Sequence, residues 1–150
     1  MCIMILIAHR GNIDGPNQQL ENTPQYIENA ILKGFNVEID LRYEDGKLRL
    51  GHDNGMTNVS LEWLLSLSDK LWIHCKNLNC LKYLYNTELN YFCHQEDDFT
   101  LTSHKFIWTY PYKDVTELSV IVCTTEEETI RHKSQQDCYG VCSDYIEKLI

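Results

Sequence analysis

The stretch FNVEIDLRYEDGKLRLGHD, residues 35–53, decides how the fold is read. Its first part alternates: Val37 and Ile39 point to one side of an extended chain, Glu38 and Asp40 to the other. Asp45-Gly46 reads as a two-residue hairpin turn, with KLRL as the returning strand. The hairpin leads into Gly51-His52-Asp53.

Upstream, the spacing predicts a helix over 24–33. Thr23 is a candidate N-cap, Pro24 suits the first helical position, and Gly34 closes the element. Ile27, Ala30 and Ile31 form its apolar stripe. Before it, residues 3–8 read as a strand that ends in His9-Arg10-Gly11. Downstream, Ser60 caps a short helix carrying Leu61, Leu64 and Leu65, and LWIHCK (71–76) reads as a third strand. The next helix places Cys80, Leu81, Leu84 and Tyr85 on one face. Strands are predicted at 91–95, 106–110, 119–123 and 139–143, and Thr125 with Glu128 forms a capping box for a helix over 126–133. Residues 54–70 and 96–105 read as abbreviated crossovers. Strands alternating with helices predict a single α/β domain over residues 1–150 with a largely parallel sheet.

The bulk composition narrows the function. A net charge of −9 argues against non-specific nucleic-acid binding, which needs basic surface. An acidic chain can still hold one phosphate through a local cationic site or a metal. The seven cysteines contain no C-x-x-C pair and read as reduced, mostly buried thiols. The first residues lack the pattern of a secretory signal, and no run approaches the ~20 apolar residues of a membrane span. The expectation is a cytoplasmic protein without a membrane span.

In parallel α/β sheets, chemistry sits at the carboxyl ends of the strands. His9-Arg10 ends the first predicted strand, Glu38 and Asp40 lie late in the second, His74 and Lys76 end the third, His94 and Gln95 the fourth, and Asp144 follows the last. Two carboxylates on one face repel unless a proton or a cation bridges them, and such oxygen pairs suit Mg²⁺ or Ca²⁺. The competing reading of Glu38 and Asp40 is an acidic solvent face. His9 and His52 can exchange protons near neutral pH, while Arg10 and Lys76 offer donors to phosphate oxygens. Phe106, Trp108 and Tyr110 share a strand face, either as core or as an aromatic wall for a substrate alcohol or choline-like group.

AHRGN, LENTPQYIENAILKGFNVEIDLR and LGHDN, in this order over residues 3–53, resemble the glycerophosphodiester phosphodiesterases. These belong to the phosphatidylinositol-phospholipase-C-like phosphodiesterases, which are TIM barrels. The resemblance continues more weakly through LWIHCKN and YGVCSDYIEKL. It implies a metal-dependent phosphodiester hydrolase acting on glycerophosphodiesters or similar small polyol or lipid head-group phosphodiesters. His9 and His52 would be the acid–base pair, and Glu38 and Asp40 the metal ligands. Arg10 and Lys76 would bind phosphate, with Glu21 and Asn22 lining the site. His94 and Trp108 are further candidates on the substrate side.

The chain departs from that family in two ways. His74 stands where the family has a glutamate, which brings Mn²⁺ or Zn²⁺ into range beside Mg²⁺ and Ca²⁺. At 150 residues, against about 250 for a full barrel, the chain is expected to form a shortened or incomplete TIM-barrel-like (β/α) barrel. Seven or eight mainly parallel strands are expected, with Ile150 near the start of a final helix. Exposed outer strand faces would favour a homodimer. Two other readings stay open: a non-catalytic phospho-ligand binding module, and a sphingomyelinase D-like lyase that forms a cyclic phosphate.

Overall fold

A computed structural model describes residues 3–54, 56–134 and 137–150. The chain begins with β1 (Ile5–His9), α1 (Pro24–Leu32) and β2 (Asn36–Glu44). Pro24 starts α1 as its fixed φ favours, and Gly34 ends it with φ 98°. Thr23 occupies the cap position without bonding the helix; its hydroxyl donates to the Leu20 carbonyl at 2.6 Å. Asp45 and Gly46, at φ 52° and 73°, turn β2 into β3 (Lys47–Leu50), and β3 pairs antiparallel with β4 (Thr57–Val59).

Next come α2 (Leu61–Ser66), β5 (Leu71–Cys75), α3 (Leu78–Leu84), β6 (Tyr91–Phe92), β7 (Phe99–Leu101) and β8 (Ile107–Thr109). The chain closes with β9 (Ser119–Cys123), α4 (Glu126–Arg131), β10 (Gly140–Ser143) and a 3₁₀ turn at Ile146–Leu149. The Ser60 hydroxyl accepts from the Trp63 amide at 3.1 Å to cap α2, and Thr125 caps α4 through the Glu128 amide at 3.1 Å.

These strands form one mixed ten-stranded sheet. Its main path runs β4-β3-β2-β1-β10-β9-β8-β7, and β5 and β6 branch from β2. The shortened TIM-barrel-like (β/α) barrel that the family resemblance implies is therefore not formed. Of the nine ladders described, three are antiparallel, involving β3, β4 and β7. The helices are few and short, with α1 the longest at nine residues.

The reason is connection length. A helical crossover needs about a dozen residues or more. The link between β8 and β9 covers only residues 110–118, so these two strands pair in parallel with no helix between them. Between β6 and β8 the chain folds back as β7 against β8 instead of crossing as a helix. The tight Asp45-Gly46 turn can only reverse the strand direction.

Alternation sorts the side chains of the central strands into two layers. Ala8, Val37, Ile39, Leu41, Ile73 and Val141 enter the larger core, with Ile27 and Ala30 of α1 and Leu64 of α2. Ile7, Trp72, Phe92, Trp108, Val120 and Cys142 form a smaller, aromatic-rich cluster on the opposite face. Phe92 stacks on Trp108 with ring centroids 4.6 Å apart, so the sheet curls enough to bring β6 and β8 together. Two residues further along each strand, on this same face, lies the polar rim: His9 after Ile7, His74 after Trp72, His94 after Phe92, Tyr110 after Trp108 and Asp144 after Cys142.

Candidate metal and phosphate site at the strand ends

Strand register assembles the site. In parallel pairing, Ser143 of β10 sits beside Ala8, His9 beside Glu38 of β2, and Asp40 beside His74 of β5. Residues more than a hundred positions apart thus meet on one rim.

Glu38 and Asp40 are 2% and 1% exposed, which excludes the acidic solvent face as their explanation. His74 is 9% exposed. One ligand atom from each of Glu38, Asp40 and His74 lies within 4.8 Å of the others, so this buried group can hold a metal ion. The His74 Nδ1 atom is 3.5 Å from Asp40 Oδ1 and 3.9 Å from Glu38 Oε2. Glu38 Oε1 and Asp40 Oδ1 are buried without a hydrogen-bond partner. Such atoms are rare in a folded core and fit a cation-binding role.

The electrostatics follow from this crowding. Burial and then the Asp40 charge push the Glu38 carboxyl up to about 8. Burial also works against charge on Asp40, but the Arg10 guanidinium and the Asn22 amide hold its pKa below the usual carboxylate value. Burial and then Lys76 lower His74 to about 4, so its ring is neutral.

Arg10 leaves β1 in the left-handed region at φ 56°, and Asn22 does the same at φ 57°. The two are joined: the Asn22 amide donates to the Arg10 carbonyl at 3.0 Å. The Asn22 side chain donates to Asp40 Oδ2 and accepts from the Asp40 amide, both at 3.0 Å. Arg10 Nη1 donates to Glu21 at 3.1 Å, and its Nε lies 3.0 Å from Asp40 Oδ2. Gly11 follows at φ 87°, where a Cβ would stand 2.9 Å from the Tyr26 ring.

The His9 ring shares its Nδ1 with Asp144 Oδ1 at 2.8 Å and points Nε2 toward Glu38 Oε1 at 3.9 Å. Burial opposes charge on His9, yet Glu38 and Asp144 outweigh it and raise its pKa. Asn12, fully buried, donates to both Asp144 (2.9 Å) and Glu21 (3.0 Å) and so ties the histidine's partner to the arginine's.

Comparison with family models, with curated proteins and with solved structures finds no match to this chain.

A cleft of about 480 Å³ is lined by His9, Arg10, Glu38, Asp40, His52 and His74, together with Lys76, His94, Trp108 and Tyr110. His52 is partly open to solvent, with its Nδ1 2.9 Å from Asp53. His94 stacks its ring on His74 at 5.0 Å and offers its carbonyl to His74 Nε2 at 3.1 Å. Trp108 is buried among Trp72 and Phe92 and only edges the cleft. A second cavity of about 530 Å³ adjoins the first through Arg10 and His52 and contains Glu21 and Asn22.

The candidate residues from the sequence thus share two adjoining cavities. Glu21 and Asn22 support Arg10 and Asp40 through side-chain contacts. Asp144 and Asn12 are the residues whose roles the sequence does not reveal. Asp144 is recognisable as a strand-end residue, and Asn12 stands in AHRGN, but their contacts depend on β10 lying beside β1.

Proposed function

We propose that the chain is a metal-dependent phosphodiester hydrolase acting on glycerophosphodiesters or similar small polyol or lipid head-group phosphodiesters. One observation carries the reading: a buried carboxylate pair with unpartnered oxygens opens onto the same cleft as two histidines and an arginine. The order of motifs resembling glycerophosphodiester phosphodiesterases supports it.

Glu38, Asp40 and His74 would hold a divalent ion. The oxygen pair suits Mg²⁺ or Ca²⁺, and the imidazole admits Mn²⁺ or Zn²⁺. The ion would supply charge neutralisation for a phosphate oxygen. Arg10, fixed by Glu21, binds the phosphate through its remaining N–H groups, and Lys76 adds a second cation on the cleft wall. His9, held by Asp144 and biased toward its charged form, donates a proton to the leaving alcohol. His52 accepts the proton of the attacking water. The new P–O bond forms as the P–O bond to the alcohol breaks, leaving a phosphomonoester and a free alcohol.

Phosphorus NMR tests this with a panel of glycerophosphodiesters in Mg²⁺, Ca²⁺, Mn²⁺, Zn²⁺ or chelator. A metal-dependent phosphomonoester is the expected product. A cyclic phosphate would replace water by a substrate hydroxyl as the nucleophile. No product from folded protein with any ion would leave a non-catalytic phospho-ligand module.

A further inference from the structure

We infer that His74 is a nitrogen ligand that makes the Glu38–Asp40 site selective for a first-row transition ion of the Mn²⁺ or Zn²⁺ class over Mg²⁺ and Ca²⁺. The inference rests on the metal-holding part of the proposed function and names the ion class it leaves open.

The orientation of the ring carries the argument. A backbone carbonyl can only accept, so the contact between His74 Nε2 and the His94 carbonyl at 3.1 Å places a hydrogen on Nε2. In the neutral ring the lone pair then lies on Nδ1, the nitrogen that faces both carboxylates. Its separations of 3.5 Å from Asp40 and 3.9 Å from Glu38 exceed the roughly 2.7–2.9 Å of an imidazolium–carboxylate hydrogen bond. His74 therefore does not serve as the cation that neutralises the pair. Asp40 Oδ1 remains unpartnered even with Nδ1 as its neighbour, and Glu38 Oε1 is unpartnered as well. Two oxygens and one nitrogen converge without bonding one another, an arrangement suited to a shared ion.

The ring is also held in place. It stacks against Phe92 and His94, with both centroid separations 5.0 Å and interplanar angles of 18° and 13°. A carbonyl on the far nitrogen with stacked rings on its faces fixes both tautomer and direction, as outer partners of metal-bound histidines do. Carboxylate oxygens alone suit Mg²⁺ and Ca²⁺, whereas imidazole is a poor ligand for those hard ions and a good one for Zn²⁺ and the later first-row ions, with Mn²⁺ accepting both oxygen and nitrogen.

The test uses the full chain, stripped with chelator and titrated calorimetrically with Mn²⁺, Zn²⁺, Mg²⁺ and Ca²⁺ in turn. Mn²⁺ and Zn²⁺ should bind at least about tenfold more tightly than Mg²⁺ and Ca²⁺. In H74E that preference should shrink by roughly tenfold, since the variant restores an all-oxygen site. Pulsed EPR of the Mn²⁺-loaded wild type should show a directly bound ¹⁴N that becomes ¹⁵N on histidine labelling and disappears in H74E. The EPR result on the wild type stands even where H74E does not fold.

Equal affinity for hard and transition ions, an unchanged preference in folded H74E, or the absence of nitrogen coupling overturns the inference. These readouts need no substrate. Failure to hydrolyse any diester therefore counts against the proposed function and leaves the ion selectivity standing. Activity with Mg²⁺ and no nitrogen coupling does the reverse.

Discussion

The two faces of β1, β2, β5 and β10 are made from alternate residues of the same strands, yet they are completed differently. On the helix-covered face, Ala8, Val37, Ile39, Ile73 and Val141 are buried against α1, α2 and α3, and burial of apolar area is the main stabilising effect. On the opposite face the same strands begin with Ile7, Trp72 and Cys142 and end in His9, Glu38, Asp40, His74 and Asp144. There the fold keeps two carboxylate oxygens buried without hydrogen bonds, and holds Arg10 and Asn22 in left-handed backbone. Each such feature costs stability. The contrast teaches that this sheet is stabilised from one side and spends part of that stability on the other, as functional sites do.

Substitutions can break or sharpen that division. The largest expected effect lies on the polar face and concerns rate. His9→Ala should lower diester turnover by roughly 10²–10⁴-fold, with His52→Ala of similar size, since the proposed function gives each histidine a proton transfer. The circular dichroism spectrum and melting temperature should stay close to wild type. Unchanged turnover in both variants would remove the catalytic reading of this face.

On the covered face the expected effect is on stability. Ile27 of α1 is completely buried in the larger core, on the helix-covered face of the sheet. Ile27→Ala should cost about 2–5 kcal/mol in a denaturant titration, through lost burial and the cavity left behind. Metal affinity of the protein that remains folded should not change.

A third test asks whether the polar face is indeed held at a cost. Glu38 titrates near 8 in the fold against 4.5 for the free side chain. A raised pKa means that its contribution to stability is intact below about pH 4.5 and is lost as the pH rises through about 8. Metal-free wild type should therefore lose stability relative to E38Q between about pH 5 and about pH 9, by a difference on the order of 4 kcal/mol. E38Q should also lose metal binding. Parallel pH profiles for the two proteins would show that the carboxylate pair is not strained in the metal-free state.

The division between faces was partly legible in the sequence. Alternation in NVEID places Glu38 and Asp40 together, and the strand ends collect His9, Arg10, His74 and Lys76. Local rules also locate the Asp45-Gly46 turn and the caps at Ser60 and Thr125, because each depends on a few neighbouring residues. The barrel implied by the family resemblance is not formed because residues 96–105, read as an abbreviated crossover, include a strand, β7, that folds back on β8. Burial of the carboxylates was not legible, since a period of two identifies a face but not what covers it. The Asp144–His9 and Asn12–Asp144 contacts were hidden for a related reason: they follow from long-range strand order, which no local pattern specifies.

The smallest expected effect tests whether the faces are independent. Ser60 caps α2, whose Leu64 is fully buried in the larger core, and Trp63 of that helix donates to Glu28 of α1 at 2.9 Å. Removing the cap with Ser60→Ala should cost about 1 kcal/mol, as for other serine caps. No contact of Ser60 reaches the rim among the described hydrogen bonds, so metal affinity and turnover should match wild type at temperatures where the variant is folded. A fall in turnover together with the fall in stability would mean that helix packing on one side sets strand positions on the other. In that case the rim geometry, with Asp40 opposite His74 and His9 opposite Glu38, would depend on the whole sheet rather than on the alternation of individual strands.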